Sequence, residues 1–125
     1  MAGKFEIKTT DTGKFVFSLK AGNGEVIAVS QNYATIAACK KGVASVKNNA
    51  PVAKVEDHTV EPVEEVTNPK FEIYTDKAGE TRFRLRARNG EIIATGEGYK
   101  TKAGCLKGVD SIRRNAPEGE IVVID

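Results

Sequence analysis

The chain has 125 residues, 40% of them apolar and 29% charged, with a formal net charge of +2. This is the size and composition of one soluble globular domain, and the charge is too small to argue for a nucleic-acid or membrane partner by itself. No apolar run approaches the roughly 18 residues of a membrane span, the opening MAGKFEIK lacks the apolar stretch of a secretory signal, and the only two cysteines are Cys39 and Cys105; a reduced, cytoplasmic setting is the expectation, with no membrane partner.

KFEIK near the start alternates apolar and polar residues and reads as a half-buried strand. KFVFSLKA alternates again, with Phe15, Phe17, Leu19 and Ala21 on one face. Asn23-Gly24 then suits a two-residue hairpin turn whose central residues both need positive φ, and EVIAVS follows as a third strand. Thr35 is placed as a helix N-cap, and Ile36, Cys39, Val43 and Val46 form one apolar stripe behind it. Pro51 ends that helix. KVEDHT (54–59), with Val60 beyond, reads as a weak acidic strand, and EPVEEVTNP (61–69) as a linker.

From residue 70 the order starts over: strands KFEIY, TRFRLRA and EIIATG, the Asn89-Gly90 turn, the Thr101 cap, and a helix striped by Cys105, Val109, Ile112 and Ala116 before Pro117. EIVVID (120–125) is the last strand. Residues 4–51 align with 70–117 at a constant offset of 66 without a gap, and 25 of the 48 pairs are identical. A fixed period of this kind marks a duplication, dividing the chain into a first repeat (1–60), a linker (61–69) and a second repeat (70–125). A unit that small buries little core alone, whereas two copies solve the problem together. The expectation from the element order is an α+β protein of two tandem β3-α-β repeats. The duplication already supplies a pseudo-dimer within one chain, so a monomer is expected.

The pattern GKF.F.LKAGNGEVIA.S..Y.T.AAC..GV.SV..NAP and its second copy resemble the YegP-like family, also called DUF1508 or UPF0339, across nearly the whole chain apart from the linker. The resemblance implies one continuous antiparallel sheet with both helices on one face and with swapped C-terminal strands: residues 54–60 would pair with the second repeat and 120–125 with the first. It implies no activity, cofactor or catalytic residue.

The repeats differ most visibly in TRFRLRAR. Arg82, Arg84, Arg86 and Arg88 are spaced by two, so a strand places all four on one face, opposite Phe83, Leu85 and Ala87. The first repeat has Val16, Ser18, Lys20 and Gly22 there, so folding does not require the arginines. Guanidiniums about 7 Å apart suit successive phosphates, and Tyr74 is placed to offer a stacking ring beside them. The competing reading pairs the arginines across strands with Glu72, Glu91 and Glu97. Lys100, Lys102, Lys107, Arg113 and Arg114 belong to the turn and helix.

The other candidates point to structure. Cys39 and Cys105 lie on apolar helix faces and read as small hydrophobes, with no metal-ligand spacing near them. His58 is the only histidine, with neither nucleophile nor orienting partner marked. AGNGE and ARNGE lie between strands, unlike a phosphate loop. Gly42 and Gly108 are mid-helix, where glycine costs about 1 kcal/mol against alanine, so something must approach closely there: the sheet or the other helix. Tyr33 and Tyr99 are expected to wedge the strand-to-helix corners. The chain is therefore expected to be a non-enzymatic binding or interaction module without cofactor or metal. Its partner is either a nucleic acid or polyanion on the arginine face, or another protein; an enzyme has least support.

Overall fold

The structure is a computed structural model that describes residues 3–124. β1 (Lys4–Thr9), β2 (Phe15–Lys20) and β3 (Val26–Val29) lead into α1 (Ile36–Asn49) and β4 (Lys54–Asp57). β5 (Lys70–Thr75), β6 (Thr81–Arg86), β7 (Ile92–Thr95), α2 (Lys102–Asn115) and β8 (Glu120–Ile124) repeat that order. Asp125, expected in the last strand, lies outside the described residues.

All eight strands form one sheet in the order β4-β5-β6-β7-β3-β2-β1-β8. The C-terminal strands are swapped: β4 pairs with β5 of the second repeat, and β8 with β1 of the first. Both swapped pairs are parallel, while every pairing among the inner six strands is antiparallel. The sheet is therefore mixed, where one antiparallel sheet was expected. The reason lies in the connection: each last strand is reached through a helix, and such a crossover can return the chain parallel to a neighbour, which a tight hairpin cannot do.

Where the repeats meet, the sheet is thin. β3 and β7 share one register pair, Val29 with Thr95, plus a 3.4 Å hydrogen bond donated by Thr95 Oγ1 to the Val29 carbonyl. The helices span this seam, α1 resting on β2 and β7, α2 on β6 and β3. Beneath them Phe5, Ile7, Phe17 and Leu19, with Phe71, Ile73, Phe83 and Leu85, are fully buried. Phe5 meets Phe17 edge-on at 5.7 Å, and Phe71 meets Phe83 at 6.1 Å. Among the described residues no helix lies on the opposite sheet face.

The hairpin turns differ from the expected two-residue form. Gly24 and Gly90 have φ of 88° and 87°, and among the described residues no residue other than glycine has positive φ. The Gly24 amide donates to the Ala21 carbonyl, and Ala21 to that of Glu25. The loop is thus three residues long, with glycine at the left-handed position. Asn23 serves through its side chain, Oδ1 accepting from the Glu25 amide at 3.0 Å.

Thr35 and Thr101 cap the helices, their hydroxyls accepting from the Ala38 and Gly104 amides at 3.1 and 3.0 Å. The mid-helix glycines face an aromatic ring, neither bare backbone nor the other helix. A Cβ at Gly108 would stand 2.8 Å from Tyr99 Cζ and 3.3 Å from Phe83 Cε2; at Gly42 the values are 2.7 Å to Tyr33 Cζ and 3.1 Å to Phe17 Cε2. Each tyrosine is fixed at the corner by two backbone hydrogen bonds, with Phe15 or Thr81, and stacks on Phe17 or Phe83 at 6.3 Å. Gly108→Ala is expected to cost about 1–2 kcal/mol, because overpacking outweighs the gain in helix propensity. Thermal unfolding checks this. In a Tyr99→Ala background the same change becomes nearly neutral or stabilising, since the tightest clash is gone and the Phe83 ring, at 3.3 Å, can shift into the space the tyrosine leaves.

Candidate site on the open sheet face

β5, β6 and β4 build the distinctive part of the open face. The register sets Glu72 opposite Arg84, Tyr74 opposite Arg82, Lys70 opposite Arg86, and Glu56 beside Glu72. Arg82, Arg84 and Arg86 share this face, as their spacing implies, and their side chains are 39%, 30% and 28% exposed. Arg88 leaves the row. The strand ends at Arg86 after a bulge, and Arg88 lines a shallow groove beside Lys41, Ser45 and Asn48 of α1. Alternation ends with the strand, so the turn sends the fourth arginine to the helix side.

Each guanidinium of the row is anchored through Nε. Arg84 and Arg86 donate to Glu72 Oε1 at 2.6 and 2.7 Å, and Arg82 donates to Asp76 Oδ2 at 2.6 Å. Arg86 spends one further N–H on the Gly90 carbonyl at 2.7 Å. The outer nitrogens of Arg82 and Arg84 have no hydrogen-bond partner among the described residues. Arg84 also lies over the Tyr74 ring, 4.7 Å from its centroid, a cation–π contact that uses the ring face.

Glu72 is thus an arginine partner, as the competing reading held, but Glu91 and Glu97 form no ion pair among the described residues. Asp76 takes the role instead. Its other oxygen accepts from the Ala78 and Glu80 amides at 2.9 Å, which fixes the turn before β6. Column-by-column comparison of the repeats could have found it: Asp76 replaces Thr10 where Arg82 replaces Val16.

A second cluster adjoins the first. Glu56, 2% exposed, accepts from Lys70 Nζ at 2.8 Å and from the Val66 amide at 2.9 Å, and lies 2.5 Å from His58 Nε2. Burial works to raise the Glu56 pKa, yet the bonds from Lys70, Val66 and His58 outweigh it and hold the carboxyl down to about 2. Glu72 is also buried and also lowered, with Arg84 and Arg86 overcoming the cost of desolvation. Arg82 lowers Asp76. Glu56, His58 and Glu72 each bring a ligand-type atom within 4.8 Å of the others, so the trio resembles a metal set. Their oxygens are already served by one ammonium and two guanidiniums. A divalent ion would have to displace Lys70 and sit in a positive field, so the donor set does not fit a metal.

The first repeat performs the same task with less. Glu6, 5% exposed, meets Lys20 at 2.9 Å and Lys4 at 3.6 Å, and Lys20 holds its carboxyl below the ordinary range despite burial. Val122 and Ile124 stand where the other half has Glu56 and His58. Cys39 and Cys105 are both fully buried, and burial alone pushes the Cys105 thiol up to about 11, far from a reactive thiolate. No helix of the described residues is long and apolar enough to cross a membrane.

Comparison with known proteins places this architecture. The model of the domain of unknown function DUF1508 matches twice, at residues 11–57 and 76–122. A UPF0339 protein from Stutzerimonas stutzeri is 32% identical over 124 residues, which cover 99% of this chain and 98% of that one. A UPF0339 protein from Methanosarcina acetivorans is 55% identical over 56 residues, 45% of this chain but 97% of the relative, so there a single repeat is nearly the whole protein. The solution structure of yegP from E. coli, described as a protein of unknown function, is 31% identical and superposes with a TM-score of 0.81 over 98% of this chain and 93% of that one. In sequence, duplication and fold alike, the chain belongs to the DUF1508 (UPF0339, YegP-like) family.

Proposed function

We propose that the chain is a non-enzymatic binding module whose open sheet face holds a polyanion, single-stranded nucleic acid being the class that fits best. One observation carries the reading. Arg82 and Arg84 are fixed through Nε by acids at their base, which leaves the outer nitrogens partnerless among the described residues. Such anchoring removes side-chain entropy before a phosphate arrives. The spacing along β6 matches successive phosphates, and Tyr74 lies in the same row with Arg84 across its ring. Around Tyr74 four cations (Lys70, Arg82, Arg84, Arg86) meet three carboxylates (Glu56, Glu72, Asp76), so the patch keeps a positive excess.

The first repeat supplies the variant that tests this. Arg82→Val/Arg84→Ser/Arg86→Lys installs its residues, among which Lys20 alone serves Glu6 at 2.9 Å. Labelled single-stranded RNA is titrated with wild type and variant, with heparin as a nonspecific control. With three phosphate contacts, raising salt from 50 to 200 mM should weaken wild-type binding about 20-fold. At low salt the variant should lose at least about tenfold, a loss of one or more charge-assisted contacts. Absence of binding by the wild type, or equal binding by both, would return the arginines to a purely structural role.

A further inference from the structure

The two sheet edges are equivalent by duplication and opposite in character. β4 reads KVED, and Glu56 and Asp57 are tied to Lys70 and Lys102. The segment after it folds back along the strand: Val60, Pro62, Glu64 and Val66 line a cleft with Lys54 and Val55, and the Val66 amide bonds Glu56. Charges and a covering loop are two of the devices that keep an edge strand from pairing with another chain. β8 has neither. It reads EIVVI, pairs with β1 alone among the described strands, and leaves Ile121, Val122 and Val123 at 41%, 37% and 47% exposure. Its outer edge meets no strand among the described residues.

We infer that β8 is a self-association edge, and that its occupant is β8 of a second copy, antiparallel about a twofold axis at Val122. A closed dimer needs one self-complementary patch, and an edge strand meeting itself under a twofold axis must run antiparallel. The β8 sequence suits that register. Ile121 of one copy faces Val123 of the other, Val122 faces Val122, and Glu120 faces Ile124. The two Glu120 carboxylates then sit at opposite ends, about 13 Å apart along the strand, beyond a Debye length at 0.1 M salt. Since Ile124 is the register partner of Lys8, each Glu120 also comes within two strands, about 10 Å, of Lys8 of the other copy. The duplication that favours a monomer accounts only for the swapped pairing inside the chain; the outer side of β8 is a separate surface. A pair of five-residue strands buries little area, so the dimer is weak, with half-association expected between roughly 10 µM and 1 mM.

Sedimentation equilibrium from 20 µM to 1 mM tests this, on the wild type and on Val123→Lys and Val123→Asp. Val123 is 47% exposed, so a charged side chain there can reach water, and circular dichroism verifies that the fold is kept. The wild type should show a rising dimer fraction that both variants lose at least tenfold. Hydrogen exchange of the 120–124 amides should slow with concentration in the wild type alone. A wild type that stays monomeric at 1 mM overturns the inference, as do variants that dimerise equally. Capture of an extended peptide by a monomeric wild type would overturn it as well, in favour of a different occupant.

Discussion

Cleavage of the chain at a protease site inserted between Val66 and Thr67 is expected to leave two halves that copurify and keep the sheet. The seam between the repeats offers only one register pair, Val29 with Thr95. What ties the halves is exchange: four residues of β4 lie along β5 and five of β8 along β1. Arg113 of α2 adds a 2.6 Å hydrogen bond to the Ala53 carbonyl at the entry to β4, and Lys102 pairs with Asp57. Phe5 and Phe71, fully buried, sit on the strands that receive these edges. A half deprived of its partner would expose both its own core face and an unpaired strand, and a unit of that size has little core to offset the loss. Size-exclusion chromatography and circular dichroism after cleavage decide the matter: one peak with native ellipticity is expected. Separation of the halves without denaturant would show that the exchanged strands do not hold them. A companion lacking residues 120–125 should dissociate or unfold after the same cut, since β1 then loses its outer neighbour.

Glu72→Ala is expected to destabilise the protein by about 2 kcal/mol. Removing one member of a buried ion pair costs roughly 3–5 kcal/mol. The figure is lowered here because the Arg84 and Arg86 side chains are 30% and 28% exposed and hydrate when released. Urea unfolding measures the change, and a loss below about 0.5 kcal/mol would show that the guanidiniums do not depend on Glu72. The same cluster sets the acid limb of stability. The folded pKa values of Glu56 and Glu72 lie below the ordinary value of 4.5, that of Glu56 at about 2. A depressed folded pKa contributes stability that is fully present above the unfolded value and is lost as pH falls through the folded one. Stability should therefore decline from about pH 4.5 toward pH 2. Glu56→Gln should be less stable at pH 7 yet flatter across that window, whereas a parallel curve would remove Glu56 as a source of the slope.

Comparing the repeats made much of this legible in advance. Alternation at Phe17, Leu19, Phe83 and Leu85 assigned the buried face, and the Thr35 and Thr101 caps and the prolines bounded the helices. The side of β6 taken by Arg82, Arg84 and Arg86 followed from a period of two. Arg88 escaped that logic because a period holds only while the strand lasts, and the strand stops at Arg86. Asp76 escaped because a turn residue belongs to no period, although its replacement of Thr10 in step with the arginine was in plain view.

By itself, then, the sequence determined the duplication, the element order and the apolar face, since each is written in local spacing and in identity between copies. Tertiary structure decided what depends on residues far apart in the chain. Strand exchange and parallel edges arise because each helix returns its last strand to the other repeat, a choice that local propensity does not encode. The burial of Glu56 beside Glu72 follows from that exchange, because only the swapped β4 brings residue 56 next to residue 72. The same exchange places β8 on the outside with its apolar side chains uncovered, and places the anchored arginines on the face the helices leave open.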